Sequence, residues 1–330
     1  MKHFHCRCGQ PVYFDNHGCG NCGRQLGFDP NTLEIRAEET AGAGLAFCSN
    51  RDGASRCNWL ADPDAAGLCR SCRMSRIIPA LSKPDNRERW RKLEAAKRRL
   101  LYDLLRLGLP VNPAHLTFAF KEDRRTNPLV DEEHISTGHH QGVISINAAE
   151  ADDVFRAQMR VAMNEPYRTL LGHLRHESGH YYFDEVVDEE NRAEARSLFG
   201  DETTDYNEAV ARHYRDGPPA DWRERFITSY AASHPAEDWA ECWAHYLHIR
   251  ATLESAAEAG FVDAVHPGNW HAEFVDLVLD LNEIMRSLGL PDAYPFVLNG
   301  QVARKIEFIH EAVERCAART HGETGKRAGA

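Results

Sequence analysis

Residues 173–183 read HLRHESGHYYF, and within them His176, Glu177 and His180 form an H-E-x-x-H pattern. On a helix, positions i and i+4 share one face, so two imidazoles at that spacing can bind one ion. Glu177 follows the first histidine and can reach a metal-held water instead of the metal. That is the arrangement of a general base in metal-assisted hydrolysis. Asn164-Glu165-Pro166 can begin the helix, and Leu170, Leu171 and Leu174 supply a buried face, so a helix is expected over 165–187. Composition predicts about 0.1 accidental matches in a chain of this length. The competing reading is a helix with two surface histidines and an ion-paired glutamate.

A catalytic zinc needs three protein ligands and an open position. A third histidine six residues after the second is excluded, because position 186 is Val186. Residues 229–248 read SYAASHPAEDWAECWAHYLH. Pro235 starts a helix there. Glu237, Glu241, Ala244 and His248 share one face, and Trp239, Trp243 and Tyr246 share the other. Core aromatics behind and carboxylates in front suit a Glu ligand with a partner carboxylate, but also an ordinary amphipathic helix. His173, His234, His245 and His248 read as structural. His139 and His140, in an expected loop that could approach the site, read as substrate-side residues before zinc ligands, which stay the lesser alternative. Asp184, one turn beyond His180, reads as a hydrogen-bonding residue and not a ligand.

Eight of the ten cysteines lie within residues 6–72. Cys6-x-Cys8 and Cys19-x2-Cys22 form two short hooks, with glycines that let the backbone turn around a metal. Four thiolates read as structural zinc, with iron the lesser possibility. Cys48, Cys57, Cys69 and Cys72 make a second quartet; pairing across the two quartets stays open. Both sites would be closed, so they read as folding elements. Cys242 and Cys316 read as buried small apolar residues.

The chain has 330 residues, 42% hydrophobic and 27% charged, which fits a globular protein of two domains. No apolar run approaches a membrane span, and the N-terminus lacks a secretory h-region, so a cytoplasmic location is expected. Residues 1–110 carry a net charge of +6 and the remainder −17. The acidic part would be repelled by phosphate backbones, which makes nucleic acid an unfavoured partner.

The expected organisation is a module of two four-cysteine zinc sites over 1–76, then a connector and basic helix over 77–110. A peptidase domain follows over 111–317, with a disordered tail over 318–330. Asp85 can cap the helix, which carries Trp90, Leu93, Leu100, Leu101, Leu104 and Leu105 as its apolar stripe, with the basic face expected to be solvated. Strands are expected at 115–121 and 142–147, the latter at a sheet edge where it could align a peptide. Further helices are expected near 150–163, 206–215, 221–230, 235–257, 271–288 and 299–317.

The pairing of HESGH with SYAASHPAEDWAE resembles gluzincin metallopeptidases, particularly the anthrax lethal factor group. That resemblance implies Glu237 as third zinc ligand and Tyr230 as the residue facing the metal and stabilising the oxyanion. GVISINAAEADD, PYRTLLGHLRHESGHYY, HPAEDWAECWAHYLHI and LPDAYPFVLNG resemble a bacterial family of zinc-binding metallopeptidases with an N-terminal zinc ribbon. With these roles, Glu177 is the general base, and Glu241 orients a histidine ligand. The expectation is therefore an α+β protein: a Cys-rich zinc-ribbon module, then a mostly helical gluzincin-like domain with a small sheet. It would be a zinc peptidase with one catalytic and two structural zinc ions, acting on protein or peptide. A protein partner could dock through the ribbon. The alternative is a zinc-ribbon adaptor for protein or nucleic acid with a silent peptidase-like domain.

Overall fold

Glycine placement shapes the Cys-rich region. In the computed structural model, Gly9 (φ 84°) and Gly23 (φ 72°) follow the second cysteine of each hook. Their amides donate to the carbonyls of Cys6 (2.8 Å) and Cys19 (2.9 Å), closing each turn. The structure describes residues 2–37, 45–62, 65–124, 127–130, 137–163, 165, 167–263 and 270–327, with side chains through Thr320. The density of internal contacts divides the chain into residues 2–174 and residues 175–330.

The first unit holds three two-stranded sheets: β1 (Phe4–His5) with β2 (Pro11–Val12), β3 (Leu26–Asp29) with β4 (Glu34–Ala37), and β5 (Ala46–Phe47) with β6 (Leu60–Ala61). A short helix, α1 (Arg70–Arg73), leads into β7 (Ser75–Ile77), and the long helix α2 covers Pro84–Arg106. Such short strands cannot bury a core alone. Phe4, Phe14, Phe28 and Trp59 instead gather with Tyr102 of α2, with ring centroids 4.9 Å apart for Phe14–Phe28 and 5.3 Å for Phe14–Tyr102.

Helix α2 departs from its expected solvated basic face. Lys97 and Arg98 are buried, and Lys97 pairs with Glu94 at 2.8 Å and donates to the Ser71 carbonyl at 2.9 Å. A charge this deep persists only because its ammonium meets an anionic and a polar partner there.

The larger sheet has the order β7–β8–β10–β9, with β8 at Thr117–Lys121, β9 at Gly138–His140 and β10 at Val143–Asn147. β10 runs parallel to β8 and antiparallel to β9. So β10 is an inner strand, not the expected edge: Gln141 (φ 46°) and Gly142 (φ 76°) make a two-residue reversal that adds β9 outside it. His139 and His140 therefore lie on a strand and not in a loop. His139 Nε2 accepts the Gly142 amide at 3.0 Å, a local structural role. Helix α3 (Asp153–Ala162) follows, capped by Asp152.

The second unit is helical. α4 (Leu170–Val186) carries the H-E-x-x-H pattern into it, and starts later than the expected 165; Asn164 and Pro166 lie outside the described residues. Then come α5 (Arg192–Phe199), α6 (Tyr206–Asp216), α7 (Trp222–Arg225), α8 (Pro235–Glu258), α9 (Trp270–Ser287) and α10 (Gly300–Arg327). The sequence reading lacked α5. It also joined 221–230 into one helix; the chain instead turns extended at Phe226 and re-coils as a 3-10 turn at Tyr230–Ser233. α10 continues past the expected end at Ala317, and residues 328–330 of the expected tail lie outside the described residues.

α8 is the centre of this unit. Trp239, Trp243, Tyr246, Leu247 and Ile249 are buried on several sides of it, as a helix enclosed by other helices requires. Its buried Asp238 is matched by Lys305 of α10 at 2.5 Å. Cys242 and Cys316 are buried as expected. No helix among the described residues is long and apolar enough to cross a membrane.

Candidate metal centre and its surroundings

Close approach of α4 and α8 builds the site, and glycine permits it. A Cβ at Gly179 would lie 2.9 Å from Ala240 Cα and 3.1 Å from Trp243 Cβ. The indoles then lock the pair: Trp239 Nε1 donates to the Gly179 carbonyl (2.9 Å) and Trp243 Nε1 to Ser178 Oγ (3.0 Å). His176 and His180 flank this contact and reach Glu237 of α8. The start of α8 is equally tied down. His234 caps it, its Nδ1 accepting the Ala236 amide (3.0 Å) while Nε2 donates to the Thr204 carbonyl (3.0 Å).

His176, His180 and Glu237 converge, each offering one ligand atom within 4.8 Å of the others. Glu237 Oε2 lies 3.0 Å from His176 Nε2, and Oε1 lies 3.6 Å from His180 Nε2. Ligand atoms about 2.0–2.1 Å from a tetrahedral zinc stand roughly 3.4 Å apart, between these two values. Glu237 Oε2 is buried with no hydrogen-bond partner among the described residues. Two imidazoles and a carboxylate with one orphaned oxygen fit a zinc ion.

Glu241, one turn along α8, takes the outer nitrogen of His176. Nδ1 lies 2.7 Å from Glu241 Oε1. A carboxylate only accepts, so Nδ1 carries the proton and Nε2 is the atom turned to Glu237. Glu241 is itself held by Thr228 Oγ1, which donates to Oε2 at 2.8 Å. Burial would deprotonate His176, but Glu237 and Glu241 hold its pKa well above the usual imidazole value. Burial alone would raise Glu237, yet His176, His180 and Tyr206 keep it down at about 2. The pocket thus strongly favours positive charge between its carboxylates.

Glu177 is buried, with Oε2 unpartnered among the described residues, and burial pushes its carboxyl up to about 7. Tyr230, on the 3-10 turn before α8, has its ring centroid 6.2 Å from that of His176, and burial raises its phenol well above the ordinary value. So the structure brings together all of His176, Glu177, His180, Tyr230, Glu237 and Glu241. Asp184 takes no part in this cluster. His248 accepts from Arg175 at 2.5 Å, and His245 pairs with the Tyr294 hydroxyl at 2.7 Å, so each is held by a partner outside the ligand set.

Sequence reasoning missed two residues. Tyr206, the first residue of α6, donates to Glu237 Oε1 at 2.8 Å, and its hydroxyl also interacts with that of Tyr230. Thr228 supports Glu241. Neither has a local signature, since each acts only across a tertiary contact.

The cysteines separate cleanly into Cys6, Cys8, Cys19, Cys22 and Cys48, Cys57, Cys69, Cys72. No disulfide links them. Sulfur separations are 3.6 Å for Cys6–Cys22 and for Cys8–Cys19, and 3.5 Å for Cys57–Cys69. Four thiolates around zinc at about 2.3 Å stand roughly 3.8 Å apart, so both quartets match tetrahedral metal sites. The second is fully buried, and the Cys69 and Cys72 amides point at the sulfurs of Cys48 and Cys69, each at 3.4 Å.

A family described as "Putative zinc-binding metallo-peptidase" matches residues 86–312, and a zinc-ribbon domain family matches residues 3–83. Relatives include Uncharacterized protein Mb2598c of Mycobacterium bovis and Uncharacterized protein Rv2568c of Mycobacterium tuberculosis. Each is 41% identical over 340 residues, covering 96% of this chain and 96% of the relative. No solved structure matches the chain. With these two matches covering residues 86–312 and 3–83, the chain belongs to the zinc-binding metallo-peptidase family and carries an N-terminal zinc ribbon.

Proposed function

We propose that the chain is a zinc-dependent peptidase of the gluzincin type. One observation carries this reading: the convergence of His176, His180 and Glu237, with Glu177 buried beside them. His176, His180 and Glu237 would hold the catalytic zinc. When bound there, zinc supplies Lewis acidity, activating water at neutral pH and polarising a carbonyl. Glu177 Oε2 takes the proton of the attacking water and returns a proton to the leaving amine. The Tyr230 hydroxyl donates to the developing oxyanion. Glu241 fixes the His176 ring, and Tyr206 fixes Glu237. The two Cys quartets hold structural zinc and contribute to folding.

The test is metal stoichiometry by mass spectrometry together with hydrolysis of unfolded protein. The expected count is about three zinc ions per chain, about two in His176→Ala/His180→Ala. Glu177→Gln should keep every zinc ion and lose hydrolysis. A wild-type count equal to that of the double variant would overturn the reading and favour the zinc-ribbon adaptor.

A further inference from the structure

A cavity of about 350 Å³ opens beside the metal centre and shares His180 with it. Phe183 and Ala236 form its accessible apolar wall, with the buried Trp239 behind them. Its charged lining is Asp184, Arg192 and Glu202. Two of these three are already matched. Arg192 Nη1 lies 3.1 Å from Glu202 Oε1, its Nε lies 3.8 Å from Glu189 Oε1, and Nη2 donates to the Val187 carbonyl at 3.4 Å. Glu202 also takes Arg196 through two bonds of 2.9 Å, which hold its carboxyl at about 2. Asp184 is exposed and has no ion pair or hydrogen bond among the described residues. Hence the lining presents one unmatched charge, and it is negative. The surrounding field has the same sign: residues 175–330 carry 15 Lys and Arg against 29 Asp and Glu.

We propose that this cavity is a substrate subsite for a basic side chain, lysine or arginine, next to the metal centre. The proposal rests on the peptidase reading of that centre. An aliphatic stem lies along Phe183 and Ala236 while the cationic tip meets Asp184, the usual division of a long basic side chain between apolar wall and charged rim. A glutamate in the same place would face Asp184 and Glu202 with only an already paired Arg192 to receive it. An uncharged aliphatic chain would fill the wall and leave Asp184 as it is.

The test uses the full chain with zinc and two readouts. Binding is measured by fluorescence polarisation on Glu177→Gln, with peptides identical except for Lys, norleucine or Glu at one scanned position. At one position the Lys peptide should bind about fivefold more tightly than the norleucine peptide, the upper range for a partly exposed ion pair, and the Glu peptide more weakly. Adding Asp184→Asn should remove the contrast, and Asp184→Lys should reverse it toward Glu. Asp280→Asn, an exposed charge on α9, should leave it intact, which separates a local subsite from the general field. Raising salt to about 0.5 M should shrink it. Hydrolysis by the wild-type chain is scored on the same peptides. A binding contrast without hydrolysis keeps the subsite and overturns the peptidase reading. Hydrolysis without a contrast, or a contrast that Asp280→Asn removes equally, overturns the subsite. Neither binding nor hydrolysis overturns both.

Discussion

Tyr206→Phe removes one hydroxyl and leaves the ring. That hydroxyl donates to Glu237 Oε1 at 2.8 Å, leaving Oε2 as the oxygen turned to His176 Nε2 at 3.0 Å. A hydrogen bond to a charged group is worth about 1.5–3 kcal/mol when protected. Tyr206 is 43% exposed, so water recovers part of the loss. A loss just below that range, about 1.4 kcal/mol, corresponds to a tenfold weaker zinc dissociation constant, and lies at the low end of what lost outer partners cost a metal site. We predict a loss of about that size at the histidine site alone. Chelator competition on the full chain measures it, with the Cys sites as internal reference. The His176→Ala/His180→Ala background must abolish the difference, because the site it reports on is gone. Thermal stability should barely change, since the ring still packs on His234 at 5.2 Å. A zinc affinity within twofold of wild type, or equal losses at all three sites, would refute the reasoning.

Gly179→Ala places a methyl group 2.9 Å from the Ala240 backbone, so α4 and α8 must separate. Overpacking of this kind costs about 1–3 kcal/mol, and calorimetry should show a lower Tm together with weaker zinc binding at the histidine site. An unchanged Tm would mean that the helices are not held in contact there. Lys305→Met strands the carboxylate of Asp238, both residues being buried. Denaturant unfolding should show a loss of about 3–5 kcal/mol, largely recovered in Lys305→Met/Asp238→Asn; equal losses in the two variants would disprove the pairing argument. Cys57→Ser removes a thiolate from the fully buried quartet, and should release one zinc ion while the histidine-site zinc stays. Retention of every zinc ion would show that the second quartet is not a metal site.

Local spacing was enough for much of this protein. H-E-x-x-H presents two imidazoles on one helix face because the helical repeat is the same everywhere. Short Cys hooks with following glycines specify their own turns. Pro235 with the aromatic stripe behind it marked α8, and its Trp239, Trp243 and Tyr246 are buried. Each of these rests on interactions within a few residues. Where a feature depended on distant partners, the sequence was silent or misleading. The basic stretch of α2 read as solvated, yet Lys97 sits in the core because the Ser71 carbonyl, 26 residues away, meets it there beside its own helix neighbour Glu94. β10 read as an edge, but a two-residue reversal carries β9 around its outer side. The cysteine partition stayed open until the chain brought Cys48 and Cys57 to Cys69 and Cys72. Tyr206 reaches Glu237 across 31 residues, and Asp184 stands out only once Arg192 and Glu202 are seen to neutralise each other. Helical and turn periodicity are written in neighbouring residues, so sequence determines them. Pairing of charges and second partners of ligands arises from burial between remote elements, and tertiary structure alone decides it.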